Sequence, residues 1–144
     1  MIGSGPMEDE LKTMARSLSI SEKIIFHSWL SKEQLREHYR RAVCLINPSF
    51  CEGMPNTVLE AMACGTPVIA SDVPGNRELV AHEKTGLLFD LNSPEQFRSC
   101  LTNLLKDEQQ ICAMGNAGRR KAVSGYSWES SAEAYVELIR RCGY

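Results

Sequence analysis

The sequence predicts an α/β fold, a parallel sheet flanked by helices, and three observations predict it. Short apolar runs rich in Ile, Val and Leu recur along the chain: Ile24 to His27, Val43 to Pro48, Pro67 to Ser71 and Gly86 to Phe89. Runs of that make-up, without polar alternation, suit strands covered on both faces. Between them lie stretches with helical spacing and recognisable starts, and that alternation is the mark of βα units. The size fits as well. A chain of 144 residues, 43% hydrophobic and 24% charged, has bulk for one core, and residues 1–144 read as a single domain.

Taken in order, the elements begin with Met1-Ile2, followed at once by Gly3-Ser4-Gly5-Pro6 and a helix over Glu8 to Leu18. A glycine turn into a helix normally follows a full strand, and two apolar residues fall short of one. Either an opening strand has been removed or Gly3-Ser4-Gly5 is a cloning scar. The first reading is preferred, because Glu8 onward reads directly as the helix that should follow, so the domain is expected to be N-terminally truncated. Ser31-Lys32-Glu33-Gln34 and Ser93-Pro94-Glu95-Gln96 both fit the capping box, with Pro94 at the first helical position. Leu35, Tyr39 and Ala42 follow the first at helical spacing; Phe97, Leu101, Leu104 and Leu105 follow the second. Gly65 and then Pro67 stop the helix that carries Leu59 and Met62. Trp128, Ala132, Tyr135 and Ile139 make one stripe of a final helix within residues 127–144, read as a face docking onto the domain.

Charge and cysteine usage exclude several classes. A net charge of -2 argues against a broad nucleic-acid footprint and leaves room for a local anion site. No apolar run approaches the roughly 20 residues of a membrane helix, and the charges from Glu8 to Arg16 exclude a signal peptide. The six cysteines form no CxxC pair and no zinc-ligand spacing, so they read as reduced thiols serving as small core residues in a cytoplasmic protein.

The segment that carries chemistry is Asn47 to Glu60, NPSFCEGMPNTVLE. A strand ends at Pro48, a loop follows, and a helix starts near Asn56 or Thr57. Ligands of open parallel sheets bind beyond the carboxyl ends of strands. Gly53 lets the backbone turn and approach a ligand closely. The helix start leaves free N–H groups and a positive dipole end, a natural seat for phosphate. Glu52 and Glu60 frame this seat, with seven residues between them. Carboxylates repel phosphate but accept hydrogen bonds from hydroxyls. Donors between two hydroxyl-binding acids suit a molecule with hydroxyls at both ends and phosphates in the middle, and a nucleotide sugar has that layout. Two readings of Glu60 stay open: ligand binding, and a capping box with Thr57. For Glu52 the alternative is a solvated loop acid.

The run Glu52-Gly-Met-Pro-Asn-Thr-Val-Leu-Glu60-Ala-Met-Ala-Cys-Gly65-Thr-Pro-Val-Ile-Ala-Ser71 resembles the E-x7-E signature of retaining, nucleotide-sugar-dependent glycosyltransferases with the GT-B fold. The nearest group is family 4, within the glycosyl transferases group 1. Gly3 to Pro6, Tyr39 to Ala42, Asp72 to Glu78, Thr85 to Leu88 and Tyr126 to Trp128 stand in that family's order and spacing. The resemblance implies a Rossmann-like donor-binding half of a GT-B enzyme. It implies that Glu52 is the catalytic-site acid on the donor sugar and that Gly53, Met54, Pro55 and Asn56 line the sugar and phosphate turn. Amides of Met54, Asn56, Thr57 and Val58 would be the donors, and Glu60 would hold the ribose. Ser28, Trp29 and Leu30 fall at the base, and Gly3 and Gly5 in the opening glycine turn. Position 28 is Ser where glycine is common, and the basic Arg and Lys pair of the family would lie before Met1.

The implied reaction moves a hexosyl group, with retention, from a nucleoside diphosphate sugar to a glycan or lipid-linked acceptor. Asn56 and the Pro-Gly-Asn-Arg run resemble members that use UDP-sugars. No Asp-x-Asp or His cluster is present, so no metal and no cofactor are expected. The partners expected are the donor, the acceptor and an N-terminal acceptor domain, without which the chain is expected to be inactive. The competing reading is a stand-alone nucleotide-sugar-binding module that works with a separate acceptor-domain chain. His27, His38 and His82 read as structural. Arg77 and Glu78 read as a surface ion pair before an approach to the donor sugar. Arg119-Arg120-Lys121 reads as a solvated helix face, with peripheral contact at the inner membrane face as the alternative.

Overall fold

The computed structural model of the chain describes residues 1–142, with the side chain of Trp128 outside the description. Two compact units are present, Met1–Glu37 and the residues from His38 onward. In the first, α1 (Glu8–Ser17) buries Ala15 and leads to a 3-10 turn at Ser21–Lys23. The expected strand over Ile24 to His27 is not formed as a ladder. His27 pairs once with Ile2 in an isolated parallel bridge, with Gly3 N–H donating to the His27 carbonyl at 2.8 Å. The partner segment explains this, since Met1-Ile2 is too short to carry a ladder past the glycine turn. α2 (Lys32–Arg41) starts on a complete capping box: Gln34 N–H donates to Ser31 Oγ at 3.2 Å, and Ser31 N–H to Gln34 Oε1 at 2.9 Å.

In the second unit a three-stranded parallel sheet is described, in the order β1 (Leu45–Asn47), β2 (Val68–Ser71), β3 (Leu87–Phe89). Its register pairs Ile46 with Ile69 and Ala70 with Leu88. Each strand lies inside the apolar run predicted for it, trimmed at the ends. The crossovers carry α3 (Asn56–Ala63) and α4 (Pro74–Leu79), as parallel pairing requires. β2 is buried at every residue, matching strands covered on both faces; β1 is not, since Ile46 is 41% exposed at the sheet's end. α3 stops as its sequence predicts. Gly65 takes φ 81°, with Thr66 N–H on the Ala61 carbonyl and Gly65 N–H on that of Met62, the two bonds of a Schellman cap.

Three further helices follow: α5 (Pro94–Leu105), α6 (Glu108–Gly125) and α7 (Trp128–Arg141). The box at α5 is half made. Gln96 N–H reaches Ser93 Oγ at 3.3 Å, while the Gln96 side chain takes the Asp90 amide instead, at 2.7 Å. α6 packs on α3 through Gly115, where a Cβ would collide with the Gly65 carbonyl oxygen. The core joins Ile69, Leu87, Phe89, Leu104 and Met114, with Cys44 and Cys100 packed against it and their thiols pushed up by burial. All six cysteines are free. On α7, Tyr135 is 69% exposed and Ile139 53%, so these two residues of the expected docking stripe meet solvent rather than a covering surface. Tyr126 and Ser127 leave helical geometry between α6 and α7, and α7 follows that break.

Candidate functional site

The loop from β1 to α3 is built on Asn47, the last residue of β1 and a buried one. Its Nδ2 lies 3.5 Å from Glu52 Oε1 and 3.4 Å from Thr57 Oγ1, and its Oδ1 accepts the Ser49 amide at 3.2 Å. One amide side chain thus ties the acid before the turn to the helix start after it. The next strand supports the same loop. Ser71, at the end of β2, donates from Oγ to the Ser49 carbonyl at 2.6 Å, and buried Asn76 of α4 donates to the Ser71 carbonyl at 2.9 Å.

Gly75 of α4 closes the support from beneath. A Cβ there would overlap the carbonyl oxygens of Glu52 and Gly53, the latter at 2.5 Å. Only a hydrogen at that position lets α4 sit against the turn. Glu52 is half-buried, Gly53 and Met54 are exposed, and Pro55 is buried as the residue before α3. No side chain caps α3. Among the described residues, no acceptor meets the amides of Met54, Asn56 or Thr57. The Val58 amide is different: it donates to the Pro55 carbonyl at 3.1 Å, because the first turn closes tightly, so it is not the free donor expected of it.

Glu60 lies one turn further along, exposed. The capping reading for it fails, since Thr57 sits inside α3 and Thr57 Oγ1 is with Asn47. Glu60 Oε2 instead accepts from the hydroxyl of Tyr39, the buried residue of α2, at 3.3 Å. Burial, then the nearby Glu60 charge, pushes the Tyr39 phenol well up from its ordinary value. The face of α3 made by Asn56, Leu59 and Glu60 lines a groove of about 430 Å³ that also takes in Met54, Tyr126 and Ser127. Amide donors, an acid at each end and an open groove are an arrangement for an anion flanked by hydroxyls.

Gly3, Gly5, Ser28, Trp29 and Leu30 belong to the first unit, and Glu52 to Glu60 to the second. Trp29 is 86% exposed, Ser28 is exposed and Leu30 half-buried, while both glycines are exposed. Arg77 forms a surface ion pair, but with Asp72 rather than with Glu78, at 2.6 Å to Asp72 Oδ1 and 3.0 Å to Oδ2. His82 Nδ1 accepts the Leu88 amide at 2.9 Å, a structural role; His27 lies in its bridge and His38 in the last turn of α2. The Arg119–Lys121 run is only in part a solvated face, because Lys121 Nζ donates to the Glu78 carbonyl at 2.8 Å. Sequence reasoning missed Asn47, Gly75 and Tyr39 as supports of the loop. Their sequence signals are an Asn closing an apolar run, a Gly after the helix-opening Pro74, and a Tyr on the apolar stripe after Ser31.

The parallel sheet, with this loop beyond its strand ends, defines the Rossmann-like C-terminal half of a GT-B glycosyltransferase. The chain belongs to the glycosyl transferases group 1 family, whose sequence model matches residues 1–121. It is 35% identical to the D-inositol 3-phosphate glycosyltransferase of Kineococcus radiotolerans, over 96% of this chain and 34% of that protein. It is 31% identical to the GDP-mannose-dependent alpha-(1-6)-phosphatidylinositol monomannoside mannosyltransferase of Mycolicibacterium smegmatis, over 96% of this chain and 38% of that protein. The structure superposes on sucrose-phosphate synthase from Thermosynechococcus elongatus with a TM-score of 0.87 and 28% identity, covering 98% of this chain and 37% of that one. The chain thus spans little more than a third of the length of these relatives. Among the described residues, no helix is long and apolar enough to cross a membrane.

Proposed function

We propose that this chain is the donor-binding domain of a retaining glycosyltransferase, which moves a hexosyl group from a nucleoside diphosphate sugar to a hydroxyl of a glycan or lipid-linked acceptor. One observation carries the reading: the amides of Met54, Asn56 and Thr57 at the start of α3, which no acceptor meets among the described residues, stand between Glu52 and Glu60. The diphosphate takes these amides and the helix dipole. Glu60 takes the ribose hydroxyls, and Glu52 the hydroxyls of the donor sugar near its anomeric carbon. The exposed Ser28 and Trp29 and the half-buried Leu30 are the proposed base contacts, with Gly3 and Gly5 in the glycine turn of the same unit.

In the transfer, the bond from the anomeric carbon to the diphosphate oxygen breaks and its electron pair leaves with the phosphate. A bond to the acceptor oxygen forms on the same face of the ring, and the acceptor proton passes to the departing diphosphate. Positive charge grows on the ring and negative charge on the departing phosphate. Amides already aimed at that phosphate stabilise the change without reorganising. Glu52, held by Asn47 and by the packing of Gly75 beneath it, keeps the sugar in place. No nucleophilic role is assigned to it. The acceptor is expected to be supplied by an N-terminal acceptor domain, and the 144-residue chain is expected to bind donor without turning it over.

UDP leads among the bases through Asn56 and the Pro74-Gly-Asn-Arg77 run, while the mannosyltransferase relative is GDP-mannose-dependent by name. Calorimetric titration of the chain with UDP, GDP and ADP, repeated on Glu60→Ala, tests the reading. The expected result is saturable binding of at least one nucleotide, weakened by the substitution. A folded chain that binds none of the three contradicts it.

A further inference from the structure

We infer that Tyr39 is the positioning residue for the donor's ribose: its hydroxyl holds one oxygen of Glu60, leaving the other aimed at the ribose diol. The inference rests on the proposed role of Glu60 and deepens it. Glu60 is exposed and, among the described residues, the Tyr39 hydroxyl is the hydrogen-bond donor that meets its carboxylate, at 3.3 Å. An exposed glutamate samples several rotamers, and a ligand that needs one of them must offset that ordering on binding. A hydrogen bond from a fixed donor does part of the ordering in advance.

Tyr39 is such a donor. The residue is only 6% exposed. Its backbone is held too, since Thr66 Oγ1, itself buried and next to the Schellman cap of α3, donates to the Tyr39 carbonyl at 2.6 Å. The end of α2 and the end of α3 are therefore joined at two points, one through backbone and one through Glu60. The raised phenol stays protonated across the neutral range and remains a donor there. Glu60 lines the groove together with Asn56, one turn from the amides of Met54, Asn56 and Thr57, and Oε2 is the oxygen that Tyr39 takes. A diphosphate on those amides would carry its ribose past the other oxygen.

The experiment compares UDP, GDP and ADP with their 2′,3′-dideoxy counterparts, by calorimetry, on the whole chain and on Tyr39→Phe. Phenylalanine keeps the buried ring and removes only the donor, and melting curves verify the fold. For the diphosphate that binds best, the native chain is expected to favour the ribose form. Tyr39→Phe is expected to cut that preference about three- to tenfold, the net worth of one ordinary hydrogen bond, and to leave the dideoxy affinity unchanged. In a Glu60→Ala background, Tyr39→Phe is expected to change nothing further. A native preference that survives intact in Tyr39→Phe overturns the role of Tyr39 and leaves that of Glu60 standing. Equal loss for both ligand forms makes Tyr39 merely structural and overturns it as well. A native chain that does not distinguish ribose from dideoxyribose, or that binds no diphosphate, overturns the role of Glu60 and this inference with it.

Discussion

The two acids of the E-x7-E segment are held by opposite means. Glu52 sits in a turn supported through backbone and sheet: Asn47 at the end of β1 reaches its carboxylate, Ser71 at the end of β2 holds Ser49, and Gly75 lies directly under the peptide. Glu60 stands exposed on a regular helix, and a phenol of another helix steadies it. The difference teaches where each function can tolerate change. The Glu52 end cannot be altered without disturbing the sheet ends, whereas the Glu60 end can be tuned one hydrogen bond at a time.

The largest effect is expected from breaking the first support. Gly75→Ala places a Cβ against two carbonyl oxygens and must displace α4 or the turn, so it should cost about 1–3 kcal/mol by denaturant unfolding. It should also weaken binding of a nucleotide sugar more than binding of the bare nucleotide. Asn47→Ala comes next. It removes a buried side chain and leaves Thr57 Oγ1 and the Ser49 amide without the partner of their part-buried hydrogen bonds, an expected loss of about 1–2 kcal/mol read from the shift in denaturant midpoint. Glu60→Ala reverses the pattern and sharpens the contrast: the denaturant midpoint should hold, while nucleotide affinity by calorimetry falls about tenfold.

Tyr39 gives the comparison a pH signature. Its phenol pKa is raised on folding, so the unfolded chain releases that proton first as pH rises. The associated stability is complete below the unfolded value of 10.0 and is lost as pH climbs from there toward the folded value. Denaturant midpoints measured between pH 9 and about pH 11 should fall, and Tyr39→Phe should flatten the fall. The smallest effect belongs to the exposed Asp72–Arg77 pair. Its mutual hydrogen bonds lower the Asp72 pKa, so its contribution is present at neutral pH and lost on acidification through the folded value. Screening makes Asp72→Asn nearly silent in the midpoint at physiological salt.

Much of this arrangement was legible in the sequence because local rules decide it. The Ser31 capping box, the Gly65 stop and the helix start after Pro55 depend on neighbours within a few residues, and they form where the sequence puts them. The apolar runs locate β1, β2 and β3 because parallel strands advertise themselves by burial. What escaped depends on distant partners. Ile24 to His27 has strand composition but meets only Met1-Ile2 in its bridge. Gln96 had a choice of two amides and took Asp90. Glu60 fits a capping box by spacing, yet a tyrosine 21 positions earlier claims it. The amides at α3 were expected as four and stand as three, because the tightness of a first turn is not written in residue types.

The most direct measurement of the central claim is a crystal structure of this chain grown with UDP or GDP, whichever binds more tightly. The diphosphate oxygens are expected on the amides of Met54, Asn56 and Thr57, and the ribose hydroxyls on the Glu60 oxygen that Tyr39 leaves open. A nucleotide bound with its phosphates away from the start of α3, or with its ribose out of reach of Glu60, would contradict it.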